Sequence, residues 1–399
     1  MLSTKNIFLK DIIVWLLFPL VIGLITLSFI PGWSRFMIAW GVIYVVIYFF
    51  YSLFMEYKIQ PEVIIYFVWV IWSLSGLFFI LDMDIYIEML IRVVQMGSLI
   101  FVVAGIVSLR KDPSLILAAF AIGGIILGLI SFITGEFQTA SNVESELQAN
   151  SIAENANVFA YHLLFVIISL FYFWERLSGK FWRTLFIMIV VFTFWAIVLS
   201  GSRQGFVAVI LFILLWFFNC KGKLVLQNPK TAVALILFIT LFIFVMVQYI
   251  LPETLLGERF IDQTKQSDSK RVKDYLDGLE MLKDYPIFGV GLDHFRVHSY
   301  TNTYSHSYYM EILVSTGIIG FILYFSIYVL LWQRLVRMKK ASINKMEVYN
   351  ISFIQTVLIT ILLIGLTRPL IVSKITTIFL GCAIGYSWAL ERSLRSEKV

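Results

Sequence analysis

The chain reads as an all-α, polytopic membrane protein with about twelve apolar spans and one long polar loop between two of them. Three observations predict this class. Of 399 residues, 60% are hydrophobic and only 14% charged, whereas soluble domains carry about a quarter charged residues. Apolar runs of about 20 residues, enough to cross roughly 30 Å of hydrocarbon, recur from one end to the other. The Lys and Arg residues gather in alternate connections, as they do when spans cross a membrane back and forth.

The spans fall at about 12–30, 36–55, 62–81, 86–108, 114–134, 158–174, 182–200, 205–220, 231–250, 312–332, 349–366 and 369–389. Lys5 and Lys10 precede the first run in the manner of a signal peptide. Yet Ile30-Pro31-Gly32-Trp33 is too bulky for a cleavage site, so the run is expected to stay as a helix. Residues 1–399 then form a single membrane domain, and the 251–311 loop is the only long polar segment within it.

Orientation follows from charge. With the N-terminus inside, Lys5, Lys10, Lys58, Arg110, Lys111, Arg176, Lys180, Arg334, Arg337 and most other basic residues lie on the inner side. The short outer connections hold Arg35, Arg203 and Arg368 alone, a strong positive-inside bias. Both termini are therefore expected in the cytoplasm, with 251–311 outside. The net charge of +6 reflects this topology and gives no reason to expect nucleic acid. Two cysteines, Cys220 and Cys382, supply neither a disulfide framework nor metal-ligand spacing. No internal repeat and no matched pair of broken helices of the transporter kind is visible.

Chemistry is expected outside, in three segments. Asn155-Ala156-Asn157 leads into the sixth span, where Asn serves either as a helix cap or as a contact to sugar or phosphate. Leu199-Ser200-Gly201-Ser202-Arg203-Gln204-Gly205 is a tight turn carrying one Arg against the orientation signal, which points to a task beyond snorkelling. The third segment is the long loop. Val272, Tyr275, Leu279 and Leu282 recur at helical spacing, with Arg271 opening the helix and Pro286 ending it. Phe288-Gly289-Val290-Gly291 follows as a turn whose glycines let backbone approach another surface. His306-Ser307-Tyr308-Tyr309-Met310-Glu311 then joins the loop to the next span, and His306 ranks above His294 and His298 because it lies nearest the membrane.

Taken in order, Ser202-Arg203-Gln204-Gly205, Arg271…Tyr275…Pro286-Ile287-Phe288-Gly289-Val290-Gly291, His306 to Glu311 and Gly317-Ile318-Ile319-Gly320 resemble the O-antigen ligase/polymerase (Wzy/WaaL) family. The motifs cover about 200–320. The resemblance implies glycan transfer from a polyprenyl diphosphate carrier at the outer side of the bacterial cytoplasmic membrane. It makes Arg203, Arg271 and His306 the catalytic group, with Tyr275 following Arg271. The chain departs from the family's frequent Trp at Tyr275 and frequent Asn at Ser307. Ser307 offers no amide to a sugar.

Independent chemistry fits. A donor outside the cell has to be membrane-borne, and its leaving group is a diphosphate. Arginine is permanently charged and bidentate toward phosphate oxygens, so Arg203 and Arg271 suit charge that grows as the glycosidic bond breaks. Arg368, followed by Pro369, offers a third phosphate contact, Asn157 a further substrate contact, and Lys374 a weaker one. The acceptor hydroxyl needs a base, and imidazole, with an unperturbed pKa near 6.5, suits that task. Displacement without a covalent intermediate inverts the anomeric centre; no metal and no cofactor is expected. Asp82 and Asp84 read as solvated turn residues, and Glu88 and Arg92 as an intrahelical pair.

Two acceptors remain open, a second carrier-linked repeat (polymerase) or a lipid A core (ligase), and polymerase is the first reading because it requires no outer membrane. The expected partners are the carrier-linked oligosaccharide, the glycan acceptor and membrane lipids, with a flippase and a chain-length regulator alongside. A polysaccharide or lipid transporter is the rival from another class, a non-catalytic assembly partner a further one. A transporter would show charge facing a central cavity from several helices.

Overall fold

The computed structural model describes residues 2–27, 30, 32–55, 57–134, 156–227, 233, 267–300 and 302–396. All regular structure among them is helical. The helices are α1 (Leu2–Thr26), α2 (Trp33–Phe54), α3 (Pro61–Ser73), α4 (Met83–Arg110), α5 (Ser114–Thr134), α6 (Ala156–Phe173), α7 (Lys180–Leu199) and α8 (Arg203–Gln227). After them come α9 (Ser267–Asp284), α10 (Phe295–His298), α11 (Tyr308–Ala341), α12 (Lys345–Ile364) and α13 (Lys374–Ser396). A 3-10 turn, Leu74–Phe78, extends α3.

Among the described residues, nine helical segments are long and apolar enough to cross a membrane: α2, α3 with its 3-10 extension, α4 to α8, α11 and α12. The protein is therefore an all-α, multi-pass membrane protein. The expected span at 231–250 lies, apart from Val233, outside the described residues. The apolar stretch of α1, Asp11–Thr26, is shorter than a span. The run expected at 369–389 starts as a helix only at Lys374 and falls short of a span by composition. Protein rather than lipid covers it. Thr376, Thr377, Ser387 and Glu391 are all buried within α13, which packs along α4. Gly381 and Gly385, four apart, permit that approach: a Cβ on Gly385 would sit 2.9 Å from the Ala104 carbonyl carbon. Small residues at this spacing let membrane helices meet backbone to backbone.

The ends of the helices follow local chemistry. Asp82 caps α4, its Oδ1 accepting from the amides of Asp84 at 3.0 Å and Ile85 at 3.1 Å. Asn344 caps α12 through Met346 N–H, and Ser307 caps α11 through Met310 N–H. Lys111 closes α4 in the left-handed region.

Arg334, expected in a connection, instead lies inside α11 because that helix continues to Ala341. Its guanidinium, with the side chain 7% exposed, binds Glu62 of α3 at 2.8 Å and Glu391 of α13 at 3.1 Å. Three helices are thereby tied at one end of the bundle, where an unpaired charge would be costly.

At the other end, α11 is interrupted. Gly317 has φ 67° and ψ −175°, which breaks the helical path one third of the way along. The carbonyls freed there find new donors: Val314 accepts from Val290 N–H at 2.9 Å, Ser315 from Gly291 N–H at 3.2 Å and Thr316 from the Trp72 indole at 3.0 Å. Ile318 N–H in turn donates to Pro286 at 2.9 Å. The surface that Gly289 approaches is therefore the broken backbone of α11, while Gly291, whose N–H also donates to it, lies against Gly76 of the 3-10 turn. A Cβ at Gly289 would stand 2.6 Å from Gly317 N, so only glycine fits.

Helix α9 corrects the sequence reading twice. It begins at Ser267, so Arg271 lies one turn inside rather than opening it. Its apolar stripe is also not the main packing face, since Val272, Tyr275 and Leu279 are exposed and Leu282 is only half-buried, while Asp274, Gly278 and Met281 are buried. Gly278 brings α9 against Met310, whose sulfur would be 2.8 Å from an added Cβ.

Candidate functional site

Four of the elements singled out from sequence meet at residues 365–368, the first part of the connection between α12 and α13. Arg368 donates from Nη1 to the Asn157 carbonyl at 2.8 Å and lies 5.0 Å over the Tyr161 ring. Asn157, at the start of α6, also accepts from the Ser202 hydroxyl at 2.7 Å through Oδ1. That same Ser202 Oγ caps α8, accepting from Gly205 N–H at 3.1 Å. Arg203 is the first residue of α8, half-buried, and the next residue, Gln204, donates to the Thr367 hydroxyl at 2.6 Å. From α9, the Tyr275 hydroxyl donates to Leu366 O at 3.1 Å. From α11, Tyr308 N–H donates to Gly365 O at 2.7 Å and the Tyr309 hydroxyl to Leu362 O at 2.8 Å.

This arrangement brings the segments bearing Arg203, Arg368 and His306 to one end of the bundle. Arg271 stands on α9 one turn before Tyr275, but its side chain lies outside the described residues. Asn155 is also outside them. His306 is half-buried in a left-handed conformation, φ 53°, with its ring 4.8 Å from that of Tyr304. Lys374 begins α13 six residues beyond Arg368 and is half-buried.

The rival histidines have other tasks. His294 is fully buried; its Nε2 accepts from Asp82 N–H at 3.2 Å, so its Nδ1 carries the proton and donates to Leu292 O at 2.9 Å. It pins the loop to the start of α4. His298 lies half-buried beside Tyr285 and His294, and burial, with His294 next, lowers its pKa. Asp293 pairs with Arg296 at 2.7 Å, while burial raises its carboxyl above the usual range and Arg296 opposes that shift. Asp82 serves as a cap, Asp84 is exposed, and Glu88 and Arg92 form an exposed intrahelical pair. Among the described residues, no three His, Cys, Asp or Glu side chains stand close enough to share an ion.

Residues 188–325 match the family model described as O-antigen ligase. This segment belongs to the O-antigen ligase family. The match runs from the middle of α7 through the Gly317 break and includes Arg203, Arg271, Tyr275 and His306. Arg368, Asn157 and the 365–368 connection lie outside the ligase-family segment and reach it through hydrogen bonds. No curated protein matches the chain. The family match carries membrane glycan transfer as the general class of activity.

Sequence reasoning missed two features of this end. One is the Gly317 break, whose signal was a glycine after Ser315-Thr316 inside an apolar run. The other is Glu311, which is 3% exposed and accepts from both the amide and the hydroxyl of Ser305, at 3.1 and 2.8 Å. A lone carboxylate at the start of an apolar span was its signal.

Proposed function

We propose that the protein transfers glycan from a polyprenyl-diphosphate-linked donor on the extracytoplasmic side of the cytoplasmic membrane, polymerising repeat units of a surface polysaccharide. The observation that carries this reading is the joining of the Arg203, Arg368 and His306 segments through the 365–368 connection. Arg203, Arg271 and Arg368 bind the diphosphate and neutralise the charge that grows on it as the glycosidic C–O bond breaks. Asn157 and Tyr275 hold the elements that bear them, and their remaining surface borders the substrate. His306 takes the proton of the acceptor hydroxyl as its oxygen forms the new bond to the anomeric carbon. The leaving group departs from the opposite face as the polyprenyl diphosphate, so the anomeric configuration inverts. No step of this reaction requires a metal.

Deleting the gene tests the reading. Cells should accumulate single lipid-linked repeats and lose the polymer, while unchanged polymer would refute it. The family description favours a second reading, ligation to a lipid A core. Ligase loss would leave long lipid-linked chains in place of single repeats, so chain length separates the two. The orientation is tested by reporters: a fusion after Thr264 should be extracytoplasmic and one after Ala341 cytoplasmic. Opposite labelling at both would overturn the placement of the site.

A further inference from the structure

His306 sits in the left-handed region, φ 53°, where a non-glycine residue persists only if its neighbours hold it there. Both neighbours are held. On one side, Ser307 caps α11 through Met310 N–H and Tyr308 N–H donates to Gly365 O. On the other, Ser305 is buried and delivers its amide and its hydroxyl to the same carboxylate oxygen, Glu311 Oε2. The Ser305 hydroxyl has one hydrogen but two acceptors in reach, Glu311 Oε2 at 2.8 Å and Ser307 O at 3.0 Å. A carboxylate is the stronger acceptor and directs that hydrogen. Ser305 Oγ is then free to accept from Ser307 N–H at 3.3 Å. A carboxylate near a helix N-terminus is favourable even when exposed, so its burial here calls for a role of its own. The charged groups whose field reaches it are Asp293 and Arg296, themselves ion-paired.

We propose that Glu311 is a positioning residue for His306: by clamping Ser305, its buried carboxylate fixes the backbone that aims the imidazole at the acceptor hydroxyl. This rests on the reading of His306 as the base. Glu311 acts through Ser305 and takes no part in bond making.

The test uses purified full-length enzyme and, as substrate, lipid-linked repeats extracted from a strain lacking the gene. Wild-type enzyme must first convert these to polymer; if it does not, the polymerase reading itself fails. Given conversion, Glu311→Ala should lower kcat by up to about 10²-fold, the scale of a misplaced catalytic group. KM for the lipid-linked donor should stay within about twofold, because the arginines bind it. In a His306→Gln background the same substitution should cause no further loss, since its effect passes through the imidazole. Equal losses in both backgrounds would overturn the proposal, as would wild-type kcat in Glu311→Ala. If Glu311→Ala does not fold, Ser305→Ala and Glu311→Gln decide. Each should lower kcat less than His306→Gln does, and wild-type kcat in both would overturn the assignment.

Discussion

Val290 donates its amide to the carbonyl of Val314 at 2.9 Å, across the break that Gly317 makes in α11. The Pro286 to Gly291 turn thus replaces the intrahelical donors that the first turns of α11 lack. The segment from Tyr308 to Thr316 is held by the loop as much as by its own helix, and His306 immediately precedes it.

Gly317→Ala should therefore disrupt this end of the protein. An added Cβ would collide with Ile287 O and lie 2.7 Å from Phe288 N, at a φ of 67° that L side chains avoid. Strained φ alone costs about 1–3 kcal/mol. Thermal unfolding in detergent should show a clear loss of stability together with lost activity. Gly41→Ala, whose added Cβ meets nothing within 4 Å beyond its own stretch of helix, should not lower stability. Equal stability of the two variants would remove the docked turn from the account.

Arg203→Lys and Arg271→Lys should each lose most activity at near-normal protein level, because the ammonium keeps the charge but not the planar, bidentate fork. Polymer formation in a complemented deletion strain reads this out. Full complementation by either lysine variant would reduce that arginine to a membrane anchor.

His306→Gln should retain carrier binding and lose turnover. Glutamine hydrogen-bonds but takes no proton at neutral pH, and loss of a general base costs about 10²–10⁴-fold. Cells carrying it should accumulate single carrier-linked repeats. A purified variant working at near wild-type rate would leave His306 as a hydrogen-bonding residue only.

Acid should loosen the loop around His298. Burial, then His294, lower its pKa below that of an exposed histidine, so the folded loop favours the neutral ring. A depressed histidine pKa means the unfolded chain binds more protons between the two values. The stability it lends is full above about pH 6.5 and is lost as the pH falls toward the folded value. Protection factors of the 285–300 amides, which allow for the slower intrinsic exchange in acid, should fall between pH 7.5 and 5.5, and His298→Gln should flatten that change. An equal fall in the variant would assign the effect to other groups.

Much of the architecture was legible in the chain because hydropathy acts locally. A run such as 349–366 needs about 20 apolar residues and no knowledge of its neighbours. The order of Arg203, Arg271 and His306 along the chain was equally legible, and it carried the family. The tertiary structure decided what depends on partner surfaces. It broke α11 at Gly317 because a glycine turn was at hand to satisfy the freed carbonyls. It turned the apolar stripe of α9 outward because Gly278, not Leu279, fits against Met310. It buried Arg334 because Glu62 and Glu391 arrive from helices far away in sequence. It gathered the Arg203, Arg368 and His306 segments at residues 365–368 through hydrogen bonds spanning up to 211 positions. Such contacts join groups with no local relationship, and their free energy exists only once the helices have packed.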